Sequence, residues 1–267
     1  MYRCRSCHTA FVWPLPSDAE LTAFYQKFHL PTVDGGQYEQ VEARMEADFP
    51  AKVRLVRSGG RVTRLLDVGC GKGFFVRACR EQGIAAEGID VSETAVKFAK
   101  ERLGVPAISG RIEDRADELG KFDAVTMWAT IEHLPHPVET LRAIRRVLKP
   151  DGILHLDTGI GHDWLDRLLP GVVQWYDPPQ HLFVFSSEGL KHALRTAGFR
   201  VVRFDPCFDR SWFRRQARIG RALLAASGMR LINALSRLAT RSEGFTRFPL
   251  GNLQSISATP ITSPSEA

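Results

Sequence analysis

The most constraining stretch of this chain is Leu65-Leu66-Asp67-Val68-Gly69-Cys70-Gly71-Lys72-Gly73-Phe74-Phe75. An apolar run enters an acidic residue, three glycines follow at alternate positions, and an amphipathic segment then begins. The pattern reads as strand, tight turn, helix. Glycine has no Cβ and takes positive φ readily, so such a turn brings backbone close to a ligand. The N–H groups opening the helix near Lys72 are then placed to receive an anionic group. The spacing of the glycines excludes two common ligand loops. A dinucleotide fingerprint needs G-x-G-x-x-G, but here the third glycine comes one residue early and Phe74 fills its slot. A P-loop needs Gly-Lys-Ser/Thr, and Lys72 is followed by Gly73.

The chain around this turn has 267 residues, enough for one substantial α/β domain with appendages. Its 44% hydrophobic and 25% charged content is that of an ordinary soluble globule. No apolar run approaches the ~18 residues of a transmembrane helix, and the N-terminus lacks the apolar core of a signal peptide. Five scattered cysteines fit a reducing compartment, so a cytoplasmic location is expected. The net charge of +6 is uneven: residues 210–241 hold eight arginines and no acidic residue or lysine, leaving 6 − 8 = −2 for the remainder. The basic balance therefore belongs to one segment and does not indicate a nucleic-acid partner.

In chain order, residues 1–36 form a segment and linker that opens with Cys4-x-x-Cys7. Two thiolates are half of a structural zinc site, which needs four ligands; zinc is therefore not expected, and Cys4 and Cys7 stand as an incomplete metal half site. Ser17, with Glu20 three residues on, forms a capping box for a helix to about Phe28. Apolar residues at helical spacing predict a helix over 37–58. Strands are expected near 64–68, 85–90, 107–109, 122–128, 153–158 and 199–204, alternating with helices over 74–82, 93–103, 138–147 and 188–197, the last capped by Ser187. Asp90 lies 17 residues after Gly73, at the end of its strand, where a carboxylate can accept hydrogen bonds from ribose hydroxyls. Residues 160–185 read as an insertion carrying two tryptophans and two histidines. Residues 210–241 read as a basic amphipathic helical segment suited to a membrane surface or a partner, and 242–267 as a polar, flexible tail.

Several of these features together resemble the class I S-adenosylmethionine (SAM) methyltransferases, in particular a small-molecule and glycan-associated subgroup with an N-terminal Cys-x-x-Cys segment. They are Asp67-x-Gly69-x-Gly71-x-Gly73, Asp90, Glu132-His133-Leu134, the turn Leu148-Lys149-Pro150-Asp151-Gly152, and Pro178-Pro179-Gln180-His181-Leu182 with Phe185-Ser186. The resemblance implies a Rossmann-like, doubly wound, mostly parallel sheet of six or seven strands with helices on both faces. The SAM-binding domain would span 37–209, the last strand being antiparallel where present. It implies SAM as cofactor, bound by Asp67, Gly69, Cys70, Gly71 and Gly73, by Asp90 and Val91, by Ile112 and Glu113 beside the adenine, and by Trp128 beside the sulfonium. It implies methyl transfer to a small-molecule or lipid-linked glycan acceptor, most readily at oxygen, with no metal required. Two departures stand out. Arg111 occupies a position that is commonly acidic, and no apolar closing strand of the familiar kind follows residue 204.

A hydroxyl acceptor needs a base, and histidine is the usual one near pH 7. His181 leads, with His133 and Glu132 beside it. Two readings from other classes stay open: a methyltransferase-like module without activity that binds a membrane surface or protein through 210–241, and a nicotinamide-dependent oxidoreductase.

Overall fold

The structure, a computed structural model, describes residues 1–29, 48–162, 175, 180–207 and 253–262. The first part of the helix expected over 37–58, most of the 160–185 insertion and all of 210–241 lie outside the described residues.

Two short strands, β1 (Tyr2–Arg3) and β2 (Ala10–Phe11), form a hairpin, and β8 (Phe183–Val184) pairs with β2 to make a small three-stranded sheet. Helix α1 (Asp18–His29) begins at the expected capping box. The Ser17 backbone N–H donates to Glu20 Oε2 at 2.8 Å, and the Glu20 N–H donates to Ser17 Oγ at 3.3 Å. Helix α2 (Phe49–Ser58) leads into β3 (Arg64–Val68), α3 (Phe74–Glu81), β4 (Ala85–Asp90), α4 (Glu93–Leu103) and β5 (Ala107–Ser109). Then come α5 (Ile112–Leu119), β6 (Phe122–Trp128), a 3₁₀ turn at Ile131–His133, α6 (Pro137–Val147), β7 (Leu148–Gly159), α7 (Ser187–Thr196) and β9 (Phe199–Cys207), and the last strand is β10 (Leu253–Pro260).

The main sheet has seven strands in the order β5-β4-β3-β6-β7-β10-β9. β10 runs antiparallel to both of its neighbours, and the pairings among β3 to β7 are parallel. Successive strand residues face opposite sides, so Leu65, Ala86 and Ala124 pack with α2, α3 and α4, while Leu66, Ile89 and Val125 pack with α5, α6 and α7. The strand order reverses between β3 and β6. At such a switch point the loops after two adjacent strands diverge and leave a crevice at their carboxyl ends. The loops leaving β3, β4, β6 and β7 all open there.

Two expectations change. The polar tail over 242–267 is corrected at Leu253–Pro260, which is a central strand. Its composition hid it: Gln254, Ser257 and Ala258 are buried beside Ile256, and only tertiary partners make that possible. Gln254 Nε2 donates to the carbonyls of Gly159 at 3.1 Å and Phe185 at 3.0 Å, and Ser257 Oγ lies 2.8 Å from His155 Nδ1. Ile256→Ala is expected to destabilise the protein by about 2–4 kcal/mol, as a buried strand residue does. Urea denaturation measures it, and a loss below about 1 kcal/mol would mean that β10 does not sit in the core. The second change concerns α7, whose N-cap is Ser186 and not Ser187: Ser186 Oγ accepts from Gly189 N–H at 2.9 Å. The same hydroxyl donates to the Cys7 carbonyl of the N-terminal hairpin, a contact that neighbouring sequence does not reveal.

Candidate active site

The glycine turn takes its shape from three left-handed residues. Gly69, Gly71 and Gly73 have φ of +74°, +51° and +81°, which disfavour any Cβ. Space adds to this. A Cβ on Gly69 would stand 2.5 Å from Thr130 Cγ2, and one on Gly73 would stand 2.9 Å from Ala99 Cβ. The alternate spacing therefore reflects a turn that is pressed between β6 and α4. Its N–H groups are already engaged: Gly69 and Cys70 donate to Ile89 O, Gly71 donates to Asp90 Oδ2 at 2.8 Å, and Gly73 donates to Cys70 O. These four N–H groups are satisfied within the fold. The Cys70 side chain also turns inward, beneath the site of an absent Cβ at Gly88, and burial raises its thiol pKa well above the ordinary range.

Asp67 lies on β3 beside Thr126 of β6, whose Oγ1 donates to Asp67 Oδ1 at 2.6 Å. Burial pushes the Asp67 carboxyl up to about 7, against the Thr126 bond and the charge of Lys52, which favour ionisation. In its ionised form such a buried carboxyl favours a cation beside it. Asp90 closes β4. Its Oδ1 accepts from Ser92 N–H at 2.8 Å, so both of its oxygens face backbone donors of the turn and of α4. Val91, next to it, is an exposed apolar residue, 40% accessible.

At the end of β6, Trp128 is buried and packs edge-on against Phe75 with ring centroids 5.5 Å apart. Lys52 of α2 sits 4.4 Å from the Trp128 ring centroid and forms a 2.9 Å ion pair with Asp157 of β7. Asp157 Oδ1 accepts the Ala129 N–H at 2.8 Å, and Ala129 has φ +47°, unusual for a residue with a Cβ. The chain then enters the 3₁₀ turn that bears Glu132 and His133.

Glu132 is buried. Thr158 Oγ1 donates to its Oε2 at 2.9 Å, and among the described residues Oε1 is buried with no hydrogen-bond partner. Burial raises its carboxyl to about 7, opposed by Thr158 and by the charge of His181. His133 Nδ1 lies 2.6 Å from Gln180 O, and the Ala129 carbonyl is its other backbone neighbour; burial lowers its pKa. His181 Nδ1 lies 3.0 Å from Trp175 O, and the His133 and His181 rings are 4.9 Å apart. The ligand-capable atoms of Glu132, His133 and His181 all fall within 4.8 Å of one another. The structure thus brings together the three catalytic candidates, which are 49 positions apart at their extremes in the sequence. Donation from Nδ1 to the Gln180 carbonyl lets His133 tie the β6 loop to the segment preceding β8.

Ile112 and Glu113 both have partners within the protein. Ile112 is 2% accessible and packs in the core with Leu66 and Ile89. Glu113 accepts from Thr140 Oγ1 of α6. Arg111, the departure noted above, pairs with Asp18 of α1 at 2.8 Å, so its charge fastens the N-terminal helix to this side of the domain. Cys4 and Cys7 lie in the β1–β2 turn. The Cys4 thiol is lowered to about 6, chiefly by the Cys7 backbone N–H. Among the described residues no third metal-ligating group joins them. Sequence reading missed Lys52 and Asp157, because a lone lysine on a helix and an aspartate late in a strand carry no motif.

The chemistry of these residues fits SAM: a turn that Cβ atoms would fill, a buried carboxyl on the strand before it, and a second carboxyl at the end of the next strand, hydrogen-bonded to the turn. The comparisons agree. A family model described as a methyltransferase domain matches residues 39–203. The ubiquinone biosynthesis O-methyltransferase of Xanthomonas campestris pv. campestris is 32% identical over 202 residues, covering 65% of this chain and 82% of that protein. Its namesake from Haemophilus ducreyi is 27% identical over 217 residues, covering 72% and 90%. Among solved structures, a SAM-dependent methyltransferase from Archaeoglobus fulgidus superimposes with TM-score 0.56 at 22% identity, over 88% of this chain and 99% of that one. The 1,6-didemethyltoxoflavin-N1-methyltransferase of Burkholderia thailandensis gives 0.58 at 17% identity, over 97% and 98%. At these identities the structures show the shared fold. With the matched domain covering most of the chain, and a glycine turn and acidic pair that suit the donor, this chain belongs to the methyltransferase-domain family and is a SAM-dependent methyltransferase.

Proposed function

We propose that the chain methylates an oxygen of a small molecule, with His181 as the base and Glu132 as its electrostatic partner. The observation that carries this reading is the cluster of Glu132, His133 and His181 within 4.8 Å at the carboxyl end of the sheet, directly after Trp128. The relatives named for ubiquinone biosynthesis are O-methyltransferases, which supports an oxygen acceptor. The glycan acceptor is not carried forward, since the names of these relatives give it no support.

SAM, when bound, supplies a sulfonium methyl for SN2 displacement. The residues of this chain do the rest. Asp67 receives the donor's ammonium and Asp90 its ribose hydroxyls, with Val91 as apolar surface beside the adenine. Donation from Nδ1 to the Trp175 carbonyl fixes the His181 tautomer in which Nε2 is basic. Nε2 takes the acceptor's hydroxyl proton as the oxygen–carbon bond forms. The Glu132 carboxylate, whose ionisation His181 favours, balances the imidazolium. His133 holds the two loops in register.

His181→Ala is expected to lower kcat by about 10²–10⁴ with phenolic acceptors, while SAM binding measured by calorimetry stays within about threefold. Transfer from labelled SAM to a panel of small phenols provides the assay. Unchanged kcat in His181→Ala would remove the base assignment, and transfer to nitrogen or carbon acceptors alone would remove the oxygen assignment.

A further inference from the structure

Lys52 is a charged residue placed where charge is costly. It lies on α2, is 9% accessible, and its ammonium is drawn over the Trp128 ring to Asp157. A buried lysine persists only with close compensation, and here the compensation reaches both halves of the crevice. Asp157 holds Lys52 with Oδ2 and the Ala129 N–H with Oδ1. Ala129 is the left-handed residue at which the chain leaves β6 for Glu132 and His133. A non-glycine residue at positive φ stores about 1 kcal/mol or more and persists only where its surroundings over-determine it.

The charge of that ammonium also acts on Asp67, favouring its ionised form. The groups around that carboxyl are Lys52 from α2, Asp90 from β4, Asp157 from β7 and the Thr126 hydroxyl from β6. The thiols of Cys70 and Cys79, both kept protonated by burial, complete the surroundings. Lys52 is the cation of this set. Removing it would leave three carboxylates around the point where a cationic donor must be received.

We propose that Lys52 is a positioning residue of the donor site: its ammonium orients Asp157, which clamps Ala129, and its charge stands as the counter-cation to Asp67. This rests on the assignment of Asp67 to the donor's ammonium. The Trp128 ring fixes where the ammonium sits. A longer cation such as arginine can keep the pair with Asp157, while methionine keeps the packing and loses the charge.

The test is the pH dependence of binding S-adenosylhomocysteine, which carries the same amino-acid end as SAM, followed by calorimetry. A parallel ¹³C titration of the Asp67 carboxyl in the ligand-free protein needs no ligand. In the wild type, affinity is expected to rise with pH and level off above about 7, as Asp67 ionises. Lys52→Met should move that midpoint up by about one pH unit. Asp157→Asn removes a repelling carboxylate and should move it down, and Lys52→Arg should leave it near the wild-type position. A midpoint unchanged in Lys52→Met, or shifted the same way in Lys52→Met and Asp157→Asn, overturns the proposal. If Lys52→Met does not fold, a wild-type midpoint in Asp157→Asn overturns it as well, and a lowered one supports it. Failure of the underlying assignment looks different: Asp67→Asn would then bind S-adenosylhomocysteine as tightly as wild type at every pH.

Discussion

Asp67→Asn is expected to make the ligand-free protein more stable above pH 7 while weakening SAM binding about 30–100-fold. The Asp67 carboxyl titrates near 7 when folded, against an ordinary value of 3.8. Between these two pH values the folded state holds a proton that the unfolded state has released. Stability associated with Asp67 is therefore fully present below pH 3.8 and is lost as pH rises through 7. The ionised carboxylate then costs up to about 4 kcal/mol, the free-energy equivalent of the shift. Asparagine has no charge to desolvate, and its Oδ1 can still accept from Thr126 Oγ1. A gain of about 2–4 kcal/mol at pH 8.5 by urea denaturation is the expected result, shrinking towards zero at pH 4. Donor binding responds oppositely, because the lost contact is a charged one worth about 2–3 kcal/mol. A variant that is both less stable at pH 8.5 and unimpaired in binding would show that Asp67 is an ordinary structural carboxyl. Glu132, raised to about 7 by the same burial, adds to the fall in stability over nearly the same window. Asp123 behaves oppositely. Thr63, the Arg64 backbone and Lys149 gather at the amino end of β6 and hold its carboxyl well below the usual range. Its contribution is present at neutral pH and is lost only in strong acid, and it lies at the end of the sheet away from the crevice.

The second large effect concerns Gly69. Alanine there meets two penalties at once: a φ of +74° and a Cβ 2.5 Å from Thr130 Cγ2 and 2.6 Å from its Oγ1. The backbone alone costs about 1 kcal/mol. The clash forces Thr130 to move, next to the Ala129 turn that leads to Glu132. Gly69→Ala should lose about 3–4 kcal/mol of stability and at least tenfold in SAM affinity. Gly83→Ala separates the two causes, since Gly83 has φ +79° with nothing within 4 Å of the added Cβ. It should cost only about 1 kcal/mol and leave SAM binding intact. Adding Thr130→Ala to Gly69→Ala should return a good part of the excess loss. Equal costs at Gly69 and Gly83 would mean that Thr130 yields freely and that the turn is not pressed against β6.

What the sequence determined by itself was local. Alternating glycines, a capping box at Ser17 and Glu20, and an aspartate ending the next strand are features whose physics is confined to a few neighbouring residues. A backbone turn needs φ and a cap needs one nearby hydroxyl, so residue type and spacing are enough to announce them. The glycine turn and the aspartate that ends the next strand were legible for this reason. The acceptor end was only half legible: Glu132 and His133 are neighbours in a motif, but their meeting with His181 depends on how the segment before β8 returns to the sheet. The tertiary structure alone decided three things. It made Leu253–Pro260 a buried strand, because Gln254 and Ser257 find partners on β7 and beside it that no composition can display. It drew Ile112 and Glu113 into helix packing. It joined Lys52, Asp157 and Ala129, three unremarkable residues on three elements, into one charged clamp. Burial is a property of the whole fold, and both the cost of a buried charge and the value of its partner appear only when the elements are assembled.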